Sequence, residues 1–364
     1  MKNPFKFGSI VDGPYFINRR EEIGRVKSVL ASENHLIVIS PRRFGKSSLI
    51  GKVIREIERP SILLDLQIIT TAEDLAAQLL KRIHRLFPLE KMKQAIRNFR
   101  VIPNLTLNPI NNEVDISFQP GSHASVLIED VLNLIEKLST KHRKIVVVFD
   151  EFQEIKNIGK RLDQQLRSVI QYHKKINYVF LGSQESLMRD IFEKKKSPFY
   201  HFGILLPLSK IPAQDFMDYL SAGFATLHDQ SNEIARSILE ISKAHPYYTQ
   251  QLAFNVWELL IRDKNAADPV ETSCNEIIRH HDIDYERLWN TLNRTDMKIL
   301  IGMSLSEMTP LSTQFSQQYF NGAVSTIFSS LKRLTKNGLV IKTGSGYEID
   351  DPLFKRWLIQ KRRL

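Results

Sequence analysis

Residues 35–57 join an apolar run, a glycine-lysine-serine loop and an amphipathic segment in that order. His35-Leu36-Ile37-Val38-Ile39 leads into Ser40-Pro41-Arg42-Arg43-Phe44-Gly45-Lys46-Ser47, and Ser48 to Ile57 reads as a helix. A strand that turns sharply into a helix presents main-chain N–H groups and the positive end of a helix dipole to an anion. In the pattern G-x-x-x-x-G-K-[ST] those amides hold the α- and β-phosphates of a nucleotide. The lysine reaches the β/γ oxygens and the hydroxyl ligates Mg²⁺. Gly45, Lys46 and Ser47 fill the last three positions, while Ser40 stands where the first glycine belongs. Serine is small, so the turn is expected to form at modest backbone cost. Pro41, Arg42, Arg43 and Phe44 complete the loop, and Ser48 follows it into the helix. A chance G-K-[ST] falls in roughly one chain in five of this length, so the flanking strand and helix carry the argument.

A second element, about a hundred residues on, supports the same reading. Lys144-Ile145-Val146-Val147-Val148-Phe149 ends in Asp150-Glu151-Phe152-Gln153. Uninterrupted β-branched residues predict a strand buried on both faces, as in a parallel sheet. At the carboxyl edge of such a sheet, Asp150 would face a metal beside Ser47. Glu151 would be left to orient or deprotonate an attacking water. The bland alternative is a buried strand with a solvated acidic end. The next strand, Asn177-Tyr178-Val179-Phe180-Leu181, runs into Gly182-Ser183-Gln184. Ser183 either touches the γ-phosphate or its water, or simply caps the following helix.

The chain has 364 residues, enough for two or three domains, with 42% hydrophobic and 25% charged residues. No apolar run reaches the length of a membrane span. Residues 1–12 lack a signal-peptide core, and Cys274 is the only cysteine, which excludes an intrachain disulfide or a multi-cysteine zinc site. A cytoplasmic protein with no membrane contact is expected. Net charge is +11, with +7 over residues 1–120 and +6 over 291–364. The first excess suits a phosphate-binding domain. The second suits either a nucleic-acid surface or a docking face for the mildly acidic stretch between them.

Along the chain, 1–205 reads as an α/β domain with a parallel sheet. Ser61 to Leu66 forms a second buried strand, Thr71 to Phe87 a helix, and about 101–119 an inserted β-hairpin turning at Asn108-Pro109-Ile110-Asn111-Asn112. Helices near Ala124–Leu138 and Gly159–His173 flank the acidic strand. Residues 206–290 read as a helical lid, with helices at Ile211–Leu227, Ser231–Lys243 and from Pro246 to about Arg262. Residues 291–364 read as a winged helix followed by a C-terminal helix. Its helices are Arg294–Met303, Leu311–Phe320 and Gly322–Asn337, and its hairpin turns at Gly344-Ser345-Gly346. Val324, Ile327, Phe328, Leu331 and Leu334 are expected to face the core. Ser329, Ser330, Lys332, Arg333 and Lys336 would form the exposed face that enters a major groove in DNA-binding versions, with Lys342 on the wing.

In order along the chain, the motifs resemble those of the archaeal-type ATPases in the STAND branch of P-loop NTPases, related to AAA+ proteins. The series is Phe16-Ile17-Asn18-Arg19-Arg20-Glu21-Glu22-Ile23, the loop with its paired arginines, and Phe149 to Gln153. Gly182-Ser183, Ser186-Leu187-Met188 and Ser197-Pro198-Phe199-Tyr200 follow. His245-Pro246-Tyr247-Tyr248-Thr249-Gln250 and Asp351-Pro352-Leu353-Phe354-Lys355-Arg356-Trp357-Leu358 close it. The resemblance implies an ATP·Mg²⁺ site between the α/β domain and the lid, with Arg19 against the base and His245-Pro246 approaching the nucleotide. Arg42 and Arg43 are candidates for phosphate or neighbouring-subunit contacts. Ser40 and Ala244, where the family usually has glycine, depart from the pattern and bear on affinity or turnover.

Three functions follow as expectations. The first is an ATP-driven switch with slow turnover, its nucleotide state controlling the lid and winged helix. The second is a DNA-associated ATPase similar to origin-recognition or transposition helpers, binding duplex DNA through Lys332, Arg333 and Lys336. The third is a nucleotide-binding scaffold without useful hydrolysis. No sensor repeat domain is expected after the winged helix, so a signal would enter through the hairpin, the winged helix, self-association or another protein.

Overall fold

The computed structural model describes residues 2–97, 99–107, 114–118, 124–344 and 346–362. The chain divides into two compact units, one of Arg20–Ser40 with Lys46–Leu208, the other of Met1–Arg19, Pro41–Gly45 and Ser209–Leu364.

The first unit is built on a five-stranded parallel sheet. Its strands are β1 (Leu36–Ile39), β2 (Ser61–Asp65), β5 (Ile145–Asp150), β6 (Ile176–Gly182) and β7 (Ile204–Pro207), in the order β2-β5-β6-β1-β7. β1, β5 and β6 are buried along almost their whole length, as their apolar composition predicts for a sheet covered on both faces. β2 departs from that expectation: it is an edge strand, and Leu63 is 44% exposed. Flanking helices are α1 (Arg20–Ala31), α2 (Lys46–Glu56), α3 (Ala72–Leu86), α4 (Leu89–Ile96), α5 (Ala124–Leu138), α6 (Ile155–Ile158), α7 (Leu162–Ile170) and α8 (Glu185–Phe192). Thr71 caps α3 by accepting from the Asp74 amide. The inserted hairpin is present as β3 (Asn104–Leu107) paired antiparallel with β4 (Val114–Ser117). Its turn, Asn108 to Asn112, lies outside the described residues.

The parallel register aligns three strand ends. Ile39 pairs with Gly182 across β1 and β6, and Phe149 pairs with Phe180 across β5 and β6. The residues that follow, Ser40, Ser183 and Asp150-Glu151, therefore fall along one carboxyl edge, where open α/β sheets bind ligands.

The second unit is helical, with α9 (Ala213–Phe224), α10 (Ser231–Ser242), α11 (Pro246–Arg262), α12 (Pro269–His280) and α13 (Asp282–Asn290). The winged helix follows: α14 (Arg294–Leu305), α15 (Thr313–Phe315), α16 (Val324–Lys336), the antiparallel hairpin β8 (Val340–Thr343) and β9 (Gly346–Ile349), and α17 (Pro352–Lys361). The N-terminal segment belongs here too: Phe5 is buried and packs against Tyr219, Phe224 and Trp257. The second predicted winged-helix helix is only α15, followed by a wider turn over Ser316–Phe320. Ser345 in the wing turn lies outside the described residues. Among the described residues no helix is long and apolar enough to cross a membrane.

Candidate nucleotide site and the loop network

The loop between β1 and α2 needs glycine at one place. Gly45 sits at φ +90°, in the left-handed region, where glycine carries no side-chain penalty. Ser40 has no such demand, since its φ is not positive, so serine here costs no left-handed strain. Its carbonyl accepts from Lys46 Nζ at 3.1 Å and its hydroxyl lies 3.4 Å from the same amine. Lys46 and Ser48 are buried on the first turn of α2.

Ser47 Oγ donates to Asp150 Oδ2 at 2.7 Å, joining residues at the ends of β5 and the loop. One hydroxyl and one carboxylate side by side make a hard-oxygen pair that suits Mg²⁺, which takes few protein ligands and completes its shell with water and phosphate. Among the described residues no three His, Cys, Asp or Glu side chains converge on an ion, so the donor set fits a metal shared with a phosphate rather than an all-protein cage. Burial pushes the Asp150 carboxyl above its usual range, and the Glu151 charge adds to the push. The Ser47 hydrogen bond, the Glu151 amide and the Lys46 ammonium oppose it.

Glu151 follows in a left-handed conformation, φ 51° and ψ 46°. Its Oε2 accepts from Ser183 Oγ at 2.6 Å, from the Ser183 amide at 3.3 Å and from Gln153 Nε2. Ser183 thus holds a carboxylate rather than capping α8, whose cap position is Gln184 with no side-chain bond. Gly182 permits this packing: a Cβ there would lie 2.8 Å from Gln153 Oε1 and 2.3 Å from the Met188 side chain. Gln153 is 2% exposed, and its role went unread because an amide beside Asp-Glu carries no pattern of its own.

The remaining predicted residues lie in the helical unit. Arg19 is buried, and its Nη2 donates to the Phe44 carbonyl at 3.2 Å. Phe44 is buried and meets the His245 ring edge-on at 5.0 Å. His245 caps α11, its Nδ1 accepting from the Tyr247 amide at 3.2 Å, with Pro246 at the first helical position. The accepting Nδ1 leaves the proton on Nε2, which lies 3.6 Å from Asp350 Oδ1. Ala244 adopts φ 53° beside Lys243 at φ 51°, which explains why glycine is expected there. Arg42 is exposed. Arg43, at φ 65°, places its guanidinium 4.3 Å from the Tyr247 ring centre and donates to Tyr248 Oη at 3.2 Å.

On the winged helix, α16 buries Ile327, Leu331 and Leu334, but Val324 is 37% and Phe328 41% exposed, unlike the expectation. Ser330 is fully buried rather than exposed, and bonds Asp296. Arg333 forks onto the same carboxylate at 2.6 and 2.8 Å, and Lys332 lies 4.7 Å from the Phe328 ring centre. Lys332 and Lys336 are exposed.

A family model described as an ATPase domain predominantly from Archaea matches residues 16–252, and one described as a probable winged helix domain matches 283–360. No curated protein matches the sequence. Among solved structures, the Walker-type ATPase PABY2304 of Pyrococcus abyssi aligns with a TM-score of 0.67 at 18% identity, over 95% of this chain and 96% of that one. The Aeropyrum pernix ORC2 protein, in ADPNP–ADP complexes, aligns at 0.60 and 14% over 98% and 96%. The Aeropyrum pernix ORC1 protein, in complex with DNA, aligns at 0.53 and 12% over 95% and 93%. At such identities these likenesses are of fold: a P-loop parallel-sheet core with a C-terminal winged helix. With the archaeal ATPase model matching well over half of its length, the chain belongs to that family of P-loop ATPases.

Proposed function

We propose that the chain is an ATP-driven molecular switch of the STAND and AAA+ kind, with three domains at 1–205, 206–290 and 291–364. The observation that carries this is the Ser47–Asp150 hydrogen bond, with Glu151 held by Ser183 and Gln153 beside it. Lys46, with the backbone from Ser40 to Ser48, takes the phosphates. Ser47 and Asp150 hold Mg²⁺, which neutralises charge on the β- and γ-oxygens when bound. Glu151 aligns the attacking water and accepts its proton, and Ser183 and Gln153 fix the carboxylate for that task. Three hydrogen-bond donors on one oxygen, Ser183 Oγ, the Ser183 amide and Gln153 Nε2, hold the Glu151 side chain in place. Arg19 and His245-Pro246 shape the nucleotide's surroundings, and loss of the γ-phosphate releases the lid and winged helix.

A second reading, DNA-associated turnover, is favoured by the fold likeness to the ORC1 protein in complex with DNA. Arg333 is committed to Asp296, so Lys332, Lys336 and Lys342 would make the phosphate contacts. About three such contacts give a log–log salt slope near −3. Steady-state ATP hydrolysis with and without duplex DNA, at two salt concentrations and with Glu151→Gln as blank, separates the two. Slow turnover indifferent to DNA is expected of the switch. Stimulation that fades as salt rises favours the DNA reading, and turnover equal to the blank removes both.

A further inference from the structure

The helical unit holds a cavity of about 170 Å³ with no place in the nucleotide chemistry. Its lining comes from the α10–α11 junction, the end of α14, β9 and the start of α17, all of one compact unit. Two buried side-chain atoms in that lining lack a hydrogen bond, His245 Nε2 and Asp350 Oδ1. They lie 3.6 Å apart, too far to satisfy each other. His245 is 1% exposed. Its Nδ1 accepts from the Tyr247 amide, so Nε2 carries a proton that no hydrogen bond uses. A donor and an acceptor thus stand side by side, both out of solvent and both unmatched. Folded proteins rarely leave buried polar groups in that state without an occupant to match them.

The charges around the cavity narrow what the occupant is. Lys210 pairs with Glu348 at 2.6 Å, and Lys355 with Glu307 at 3.3 Å. That leaves the Asp350 carboxylate and the exposed Lys243 as the ionic groups a ligand would meet. A metal ion is disfavoured because Nε2 is protonated, and among the described residues no three His, Cys, Asp or Glu side chains converge. An inorganic anion would suit the His245 N–H and Lys243 but be repelled by Asp350. A neutral amide would match donor and acceptor, yet leave the carboxylate without a cation. An ammonium joined to a carboxylate matches every group, and Met303, Met308 and Ile349 offer apolar surface to the rest of the molecule.

We propose that this cavity binds a small ammonium carboxylate, an α-amino acid in class. Its ammonium donates to Asp350 Oδ1, and its carboxylate accepts from His245 Nε2 and faces Lys243. A ligand held this way ties the start of α11 to the start of α17 and stabilises the unit it occupies. Nucleotide has no part in these contacts, so the site is testable in its absence.

The test is thermal unfolding of the nucleotide-free full chain with each proteinogenic L-amino acid, followed by titration calorimetry of any that stabilises. At least one is expected to raise the melting temperature saturably and to bind at one site. Its N-acetyl and amide derivatives, which lack the ammonium or the carboxylate, are expected to bind about tenfold more weakly or worse. Asp350→Asn and Lys243→Gln are expected to weaken the parent amino acid, Asp350→Asn by about tenfold or more. No binding by any amino acid would mean that the cavity holds water only, and overturns the proposal. Equal binding of the blocked derivatives, or unchanged affinity in both variants, overturns it as well. Should Asp350→Asn fail to fold, the blocked derivatives on the unaltered chain decide alone.

Discussion

Two pairs of adjacent carboxylates stand at the carboxyl ends of strands, and their surroundings differ. Asp150-Glu151 closes β5, and Asp350-Asp351 follows β9. Burial raises the first member of one pair and the second member of the other. Around Asp150 and Glu151 the side-chain partners are a loop serine, a strand-end serine and a glutamine, joined by the Glu151 and Ser183 amides. Around Asp351 they are the Leu353 and Phe354 amides on one oxygen and the Tyr285 hydroxyl on the other. The first pair is held mostly by short polar side chains, whereas Asp351 is held by the first turn of a helix and a large buried ring.

The largest effect that would sharpen this contrast is on hydrolysis. Glu151→Gln is expected to cut single-turnover ATP cleavage by about 10²–10⁴-fold while ATP binding stays intact. Full turnover in that variant would move the water-orienting role elsewhere. Asp150→Asn is expected to remove Mg²⁺-dependent turnover and yet raise the melting temperature of the nucleotide-free protein. Because burial raises Asp150, the folded state keeps its proton at a pH where an unfolded aspartate has lost it. The charged form therefore costs stability at neutral pH, and that cost vanishes as pH falls through the raised value. Because a proton and Mg²⁺ would compete for Asp150, the Mg²⁺ concentration needed for half-maximal activity should rise on acidification, which Mg²⁺ titrations at two pH values check.

In the second pair the order reverses, and stability moves first. Asp351→Ala removes the α17 cap and leaves the buried Tyr285 hydroxyl without its acceptor. A loss of about 2–4 kcal/mol in denaturant unfolding is expected, from about 1 kcal/mol for the cap and about 1–3 kcal/mol for the orphaned donor. A loss below about 0.5 kcal/mol would show that the network is not structural. The smallest effect is at the entry to α11. Ala244→Gly is expected to stabilise by about 0.5–1 kcal/mol, because glycine adopts φ near +53° without the strain alanine carries.

The core of the fold was readable wherever composition and period coincide. β1 and β5 are apolar, largely β-branched runs and β6 is an apolar run interrupted by Asn177, and a parallel sheet covered by helices buries such runs on both faces. The loop from Ser40 to Ser48 announces itself by residue type and context. β7 did not: four residues ending in Pro207 make too short a signal. The expected helix over 311–320 is reduced to Thr313–Phe315, capped by Ser312 and followed by the wider turn from Ser316, because Ser and Thr favour caps and turns over helix interiors. Helical periodicity placed Ile327, Leu331 and Leu334 correctly but not the width of the buried stripe, so Val324 and Phe328 emerged exposed. The commitments of Arg43, Arg333 and Gln153 were illegible for a common reason. Each is fixed by a partner between 2 and 205 residues away, and no local pattern encodes such a meeting.

The central claim is that ATP binds at the loop closed by Lys46. Equilibrium binding of ATP·Mg²⁺ to the full chain and to Lys46→Ala tests it most directly. The account predicts a loss of affinity of about 100-fold or more, consistent with removal of a buried charge that faces phosphate. Equal affinity in the two proteins would contradict it.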